Sequence, residues 1–451
     1  QAMKGNTVGG SNVSIGVNSG LFSEGDGGDE SVFIGSATGF CNDASFQVMI
    51  GGNAGKYQET GANTTAVGYN ANRGSDGNTT GYYNTSIGSC ANYGITTGGS
   101  TVAVGYKANF SNTTAGYNTA VGSCALYSNT TGTGNLAIGF CSLFASTTSN
   151  NNVGVGDQTI RNNTTGCNNV ALGTNALLIN TEGNHNFAVG TETLKCNTCG
   201  DYNIGIGTEA LRTNSTGCYN IGIGVNSLYS NTCGLRNIAI GYTTLYSNTS
   251  AHDNVGMGFR VLCKNVTGTA NTALGSYALC NNTYGCYNTA VGCSAMISNT
   301  TGICNEAIGR NALYSNTEGN CNIAVGNGAL YSNTTGGYNV GVGARAILSN
   351  TSGRYNVGLG NQAMHNNTTG ECNIAIGMCT NYSNVSAGGS VFVGYLAGYN
   401  NNHIGNTGIG SSVLRYNQSG CYNTGVGINA LYYNLSLIHI SEPTRLLSIS
   451  Y

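Results

Sequence analysis

The chain has 451 residues, of which only 7% are charged, and its formal net charge is −2. Its 15 Lys and Arg form no basic stripe for nucleic acid, no run of about 18 apolar residues could span a membrane, and a single proline with glycine off any three-residue period excludes collagen. A disordered polar chain would carry more charge and fewer than the 40% hydrophobic residues found here, so an ordered fold is expected.

The chain opens with Gln1-Ala2-Met3, the same phrase as Gln362-Ala363-Met364, so it is expected to be a fragment beginning inside a repeat. Residues 1–87 carry less regular copies of a glycine-centred unit, at Gly16, Gly35, Gly51 and Gly68. An acidic cluster, Glu24, Asp26, Asp29 and Glu30, interrupts them; it lacks EF-hand spacing and reads as a solvated loop rather than a calcium site. From Gly88 to Gly394 a glycine stands at every seventeenth residue, and further copies at Gly410 and Gly427 bring the total to 25. Such a period marks one structural unit stacked on copies of itself, so residues 1–434 are expected to form a single elongated repeat body. After Asn434 the beat stops, and the unrelated string 435–451 reads as a sequencing or assembly artefact, with a capping segment as the alternative.

With the glycine as position zero, position −1 is nearly always Val, Ile or Leu (Val121, Ile138, Val155), and −3 is mostly apolar (Leu136, Val153, Val170). Position −2 is almost always Ala or Gly (Ala120, Ala137, Gly154), and position +4 is mostly Leu or a relative (Leu126, Leu143, Ile160). Glycines and β-branched residues at this spacing oppose a helix. They suit an all-β parallel β-solenoid in which each rung reads strand, glycine turn, second short strand and Asn-Thr-Thr-Gly turn. The glycines Gly122, Gly139, Gly156, Gly173 and Gly190 are then structural turn residues. Alternation puts −3 and −1 on one face, expected to be the core, and −2 on the other. A small residue on an outer face implies a closely packed second chain; the alternative is a flattened coil whose own walls demand it.

The phrase Asn-x-Ala-Val-Gly-x-x-Ala-Leu, as at 118–132, 288–302 and 322–336, resembles the head repeats of YadA-like trimeric autotransporter adhesins and the related repeats of phage tail fibres. The resemblance covers nearly all of 6–434. It implies a left-handed β-roll, a homotrimer, and attachment to a host or surface through a receptor that is a glycan or protein. An extracellular, cell-surface or virion location follows from it.

Several columns could carry chemistry. Cys124 with Cys141, Cys263 with Cys280 and Cys304 with Cys321 share a phase on adjacent rungs, about 4.8 Å apart, within disulfide reach, although parallel Cβ vectors are unfavourable. The alternative is a small apolar filler. Cys196 and Cys199 form one C-x-x-C without a second ligand pair, so no metal site is expected. Tyrosines recur at +5 (Tyr127, Tyr229, Tyr246, Tyr314, Tyr331) and at +12 (Tyr202, Tyr219, Tyr287, Tyr338, Tyr355). They are candidate surface contacts or, alternatively, rings stacked along the rung edges. Asparagines at −4 and +7 are expected to form amide ladders; the +7 set also creates sequons at Asn129, Asn163 and Asn299. No catalytic constellation appears among the dispersed histidines and carboxylates, so neither enzyme activity nor a cofactor is expected. The expected function is therefore an adhesive or structural fibre segment. An ice-binding solenoid is the runner-up, and a polysaccharide-active solenoid enzyme is a third class.

Overall fold

The computed structural model describes residues 2, 10–21, 29–41, 44–75 and 79–434. Glu24 and Asp26 of the acidic cluster and the whole 435–451 tail lie outside the described residues. The chain divides into two units, 1–250 and 251–451. Each is a parallel β-solenoid, and no helix occurs among the described residues. In the first unit, three-residue strands run from Val13–Ile15 to Ile238–Ile240; in the second, from Val255–Met257 to Thr424–Val426.

Pairing is in register from rung to rung. Thr119, Ala120 and Val121 face Leu136, Ala137 and Ile138, and Ile323, Ala324 and Val325 face Val340, Gly341 and Val342. Turns of other lengths still stack, since Val13 pairs with Val32, Val32 with Val48 and Thr65 with Thr85. Length differences are absorbed outside the strands, where they cost little register.

Each strand ends at the periodic glycine because the backbone turns into a region that other residues avoid. At Gly173 φ is +125°, and a Cβ there would lie 2.8 Å from both the carbonyl carbon and oxygen of Gly190. The expected second strand is absent from the regular rungs. Positions +2 and +4 are left-handed instead, with φ of 57° at Cys124 and 53° at Leu126. An extended strand excludes such angles. Rungs still bond here, Leu126 N–H to the Ser142 carbonyl at 3.0 Å and Ser128 N–H to Phe144 at 3.0 Å. Tyr416–Asn417 and Tyr433–Asn434 form a second short ladder, and Gln58 and Thr79 an isolated parallel bridge.

The left-handed corner also inverts the expected inside and outside. The small residue at −2 is the buried one: Ala120, Ala137, Ala171 and Ala188 are fully enclosed. The side chains at −3 and −1 face outward, Phe187 and Ile138 each 38% exposed. The corner folds Leu126, Leu143, Ile160 and Leu177 into the interior, where each is fully buried. Little more than a methyl then fits opposite; a Cβ on Gly341 would already touch Leu330 Cγ at 3.3 Å. The small column is thus demanded by the coil's own wall, and the inference of a second chain packed against it does not stand.

One interior slot per rung is filled from either side. Phe33 and Phe392 occupy −2 where +4 is Gly39 or Gly398, and Met49 does so where +4 is Gly55. A Cβ on Gly398 would meet the Phe392 ring at 2.7 Å. Polar rungs use the same slot, with Asn92 at +4 donating to Ser86 at −2 over 2.9 Å. Phe392→Ala is therefore expected to cost about 3–5 kcal/mol through the cavity it leaves. Adding Gly398→Leu should restore most of that, because leucines at +4 already adopt this φ. Urea midpoints of the single and double variants check it, and a double variant no more stable than Phe392→Ala would refute the shared slot.

Both asparagine columns are buried ladders. At −4, Asn118 Oδ1 accepts the Asn135 N–H at 2.8 Å, and Asn135 Nδ2 donates to the Ser149 carbonyl at 2.8 Å. At +7, Asn180 Nδ2 donates to Asn163 Oδ1 at 2.8 Å and to the Gly183 carbonyl at 3.0 Å. These amides satisfy backbone groups that the corners leave unpaired. Where Ser146 interrupts the column, its hydroxyl turns to Ser149 and Asn129 Oδ1 is left without a partner. The sequon asparagines Asn129, Asn163 and Asn299 are fully buried, and Asn299 Nδ2 spends both hydrogens on Asn282 Oδ1 and the Gly302 carbonyl. In the folded coil they offer no glycan acceptor.

Candidate interaction surface

The outward strand face carries a recurring apolar column in each unit. Every −1 residue in a strand is aliphatic or Met, and Glu306 is the one charged residue in the −3 and −1 columns among the described strands. On some rungs position +1 adds an exposed apolar side chain, Tyr106, Phe140 and Tyr242 in the first unit and Phe259, Met378 and Tyr395 in the second, while Asp157 and Arg310 hold it on others. Alternation about the buried −2 residue forces these side chains outward together. Scattered apolar surface residues are ordinary; the repetition of them along one face makes this the candidate surface for interaction.

The five tyrosines expected at +5 are half-buried and stacked along the rung edges. Tyr127 lies between Phe110 and Phe144 with ring centroids 5.1 and 5.0 Å away and planes within 8°. Tyr229 stacks on Tyr246 at 5.0 Å and Tyr314 on Tyr331 at 4.8 Å. Their faces are spent on each other, which matches the edge-covering alternative. The better-exposed rings are those at +12, where His185, Tyr202 and Tyr219 stack in sequence and Tyr338 stacks on Tyr355. Left-handed φ at this column, 55° at Tyr202, swings the rings off the coil.

One cluster of charged side chains in the first unit forms ion pairs. Glu192 pairs with Lys195 and Arg212, each at 2.8 Å, and Arg212 also donates to the Tyr229 hydroxyl at 2.9 Å. The Lys195 and Arg212 hydrogen bonds hold the Glu192 carboxyl below its ordinary range.

All three expected cysteine pairs are brought together, and all six residues are free thiols. Burial, then the neighbouring Cys124, raises the Cys141 thiol; burial, then Cys321, raises Cys304. Cys263 behaves oppositely: a hydrogen bond from Cys280, aided by the Arg260 guanidinium and opposed by burial, pulls it down to about 6. The same contact pushes Cys280 up. Sequence position located these pairs but could not separate them, because Arg260 reaches Cys263 only across the left-handed corner.

Cys196 is half-buried and Cys199 exposed, and among the described residues no group of three or more His, Cys, Asp or Glu could hold a metal ion. Asp29 accepts the Gly10 N–H at 2.6 Å, as a loop residue would. The threonines do not form a flat double row: Thr130 at +8 donates to the Thr147 carbonyl at 3.1 Å, leaving the exposed +9 row, which Glu182, Cys199 and Cys233 interrupt. Among the described residues no helix is long and apolar enough to cross a membrane. No protein-family model and no curated protein matches the chain.

Proposed function

We propose that this chain is a non-catalytic fibre segment that assembles as a homotrimer and serves attachment to a host cell or surface. The reading joins the resemblance of the repeat to adhesin heads and tail fibres with one observation, the outward, largely apolar strand face at −3 and −1. Three copies that turn these stripes toward one another remove them from water. Each fully covered aliphatic is then worth about 1.5–3 kcal/mol, before the entropy of association is subtracted. The remaining surface, with its exposed rings at +12, repeats weak contacts to a glycan or protein receptor and gains strength by multivalency. An extracellular or virion-surface setting follows from that role.

Light scattering on the full chain tests the assembly. The expected mass is three times 46.0 kDa. Ile308→Asp, placed on an outward side chain that is 44% exposed, is expected to yield monomers with unchanged circular dichroism. A wild-type chain that stays monomeric at about 100 µM, a concentration at which obligate assemblies persist, would refute the trimer.

A further inference from the structure

Gly328, in the second unit, is the single glycine at position +2 of the 25 rungs. The backbone does not require it. Position +2 is left-handed on the neighbouring rungs too, with φ of 58° at Asn311 and 56° at Arg345, and both carry side chains. Crowding does not require it either: a Cβ on Gly328 would meet Leu348 Cδ1 at 3.6 Å and Arg345 Cγ at 3.8 Å, ordinary contact distances. The effect of the glycine is to leave one side chain out of the column. The gap is an open notch of about 290 Å³ lined by Asn311, Asn327, Gly328, Tyr331, Arg345 and Leu348. Bonds between rungs hold its floor and walls, Gly328 N–H to the Arg310 carbonyl at 3.0 Å, Arg345 N–H to the Asn327 carbonyl at 2.9 Å and Ser332 N–H to the Leu348 carbonyl at 2.9 Å.

Three kinds of group meet there. Arg345 is exposed and enters none of the ion pairs among the described residues, which all lie at 192–212. Asn311 and Asn327 add two carboxamides. Tyr331 and Leu348 form the apolar wall, and Tyr331 ends a ring stack, since Tyr314 lies on one side of it at 4.8 Å and the next rung carries Leu348 at +5. Between Gly309 and Gly360 stand three arginines against Glu318 alone, so the surroundings favour an anion.

We propose that this notch binds a single sugar acid, a pyranose bearing one carboxylate, as the recognised unit of a glycan receptor. A guanidinium takes a carboxylate through two parallel N–H···O bonds. Carboxamides both donate to and accept from sugar hydroxyls. The ring and the leucine take the apolar C–H face of the pyranose. The volume lies near the lower end of ligand pockets, about 300 Å³, which suits one sugar ring rather than an oligosaccharide. Repetition of the chain in an assembly would multiply a weak contact of this size. The inference rests on the attachment reading for its choice of a glycan and does not need the trimer.

The test is a set of saturation-transfer NMR titrations of the full chain with glucuronate, N-acetylneuraminate, glucose and acetate. At least one of the two sugar acids is expected to bind with a dissociation constant of about 1 mM, roughly tenfold tighter than glucose or acetate. The arm that binds tells a uronate from a sialate. Arg345→Gln should weaken that binding roughly tenfold. Gly328→Asn restores the side chain that Asn175, Asn226 and Asn311 carry at +2, and should abolish binding with an unchanged urea midpoint. Four results would overturn the proposal: no binding of either sugar acid, acetate or glucose bound as tightly, a folded Gly328→Asn that still binds, or an unchanged affinity in Arg345→Gln. Light scattering on the same sample keeps the two readings apart. A trimer that ignores both sugar acids removes the notch alone, and a monomer that binds one removes the trimer alone.

Discussion

Gly173→Ala is expected to unravel the rungs around it, at a cost of roughly 3 kcal/mol or more. Two effects combine. The φ of +125° is one that side chains rarely adopt, and the new methyl would sit 2.8 Å from the backbone of Gly190, which has no flexible end to move aside. The next glycine obeys the same constraint, since a Cβ on Gly190 would lie 2.7 Å from the Gly207 carbonyl group. Relief by shifting one rung would therefore press on its neighbour. The measurement is native-state hydrogen exchange at the Gly173 and Gly190 amides, which bond to the Val155 and Leu172 carbonyls at 2.9 and 2.8 Å. Gly389→Ala is the control: φ there is +70°, nothing lies within 4 Å of the added carbon, and the expected cost is only about 1 kcal/mol. Equal losses for the two variants would mean that close backbone stacking at the corner is not the constraint.

Asn203→Leu is expected to destabilise its rung by about 3–5 kcal/mol although leucine is the more hydrophobic residue. Asn203 is fully buried. Its Oδ1 accepts the Asn220 N–H at 3.0 Å and Asn220 Nδ2 at 3.2 Å, while its Nδ2 donates to the Gly217 carbonyl at 2.7 Å and to Asn186 Oδ1 at 3.1 Å. Leucine removes all four contacts at once and strands the Asn220 N–H away from water, and that desolvation outweighs the added apolar area. Loss of protection at the Asn220 amide, with an earlier urea transition, is the expected outcome. A variant within about 0.5 kcal/mol of the parent, the range of an ordinary surface change, would show that the ladder is not needed.

Both predictions rest on columns that the repeat itself exposes. Identical residues at equal phase can stack only in register, so the parallel pairing of Ala120 with Ala137, the glycine corner and the two amide ladders were legible from spacing. The exchange of Phe392 with Gly398 for the usual Ala and Leu was also written in the chain, but it acquires meaning only when −2 and +4 are seen to share one slot. The cysteine pairs were legible as pairs; the opposite shifts of Cys263 and Cys280 were not, because they depend on side chains brought in from other columns.

The period by itself determined that this chain is a stack of seventeen-residue β-rungs and that −3 and −1 share a face opposite −2. Which of those faces points inward was decided by the tertiary structure alone. Alternation along a strand has no sign; the sign comes from where the chain returns, and that is set by the left-handed backbone at +2 and +4. Leu126 at φ 53° closes the coil onto the small residue and leaves the aliphatics outside. A local sequence pattern cannot announce a leucine in that conformation, because only the contacts of a closed rung compensate its strain.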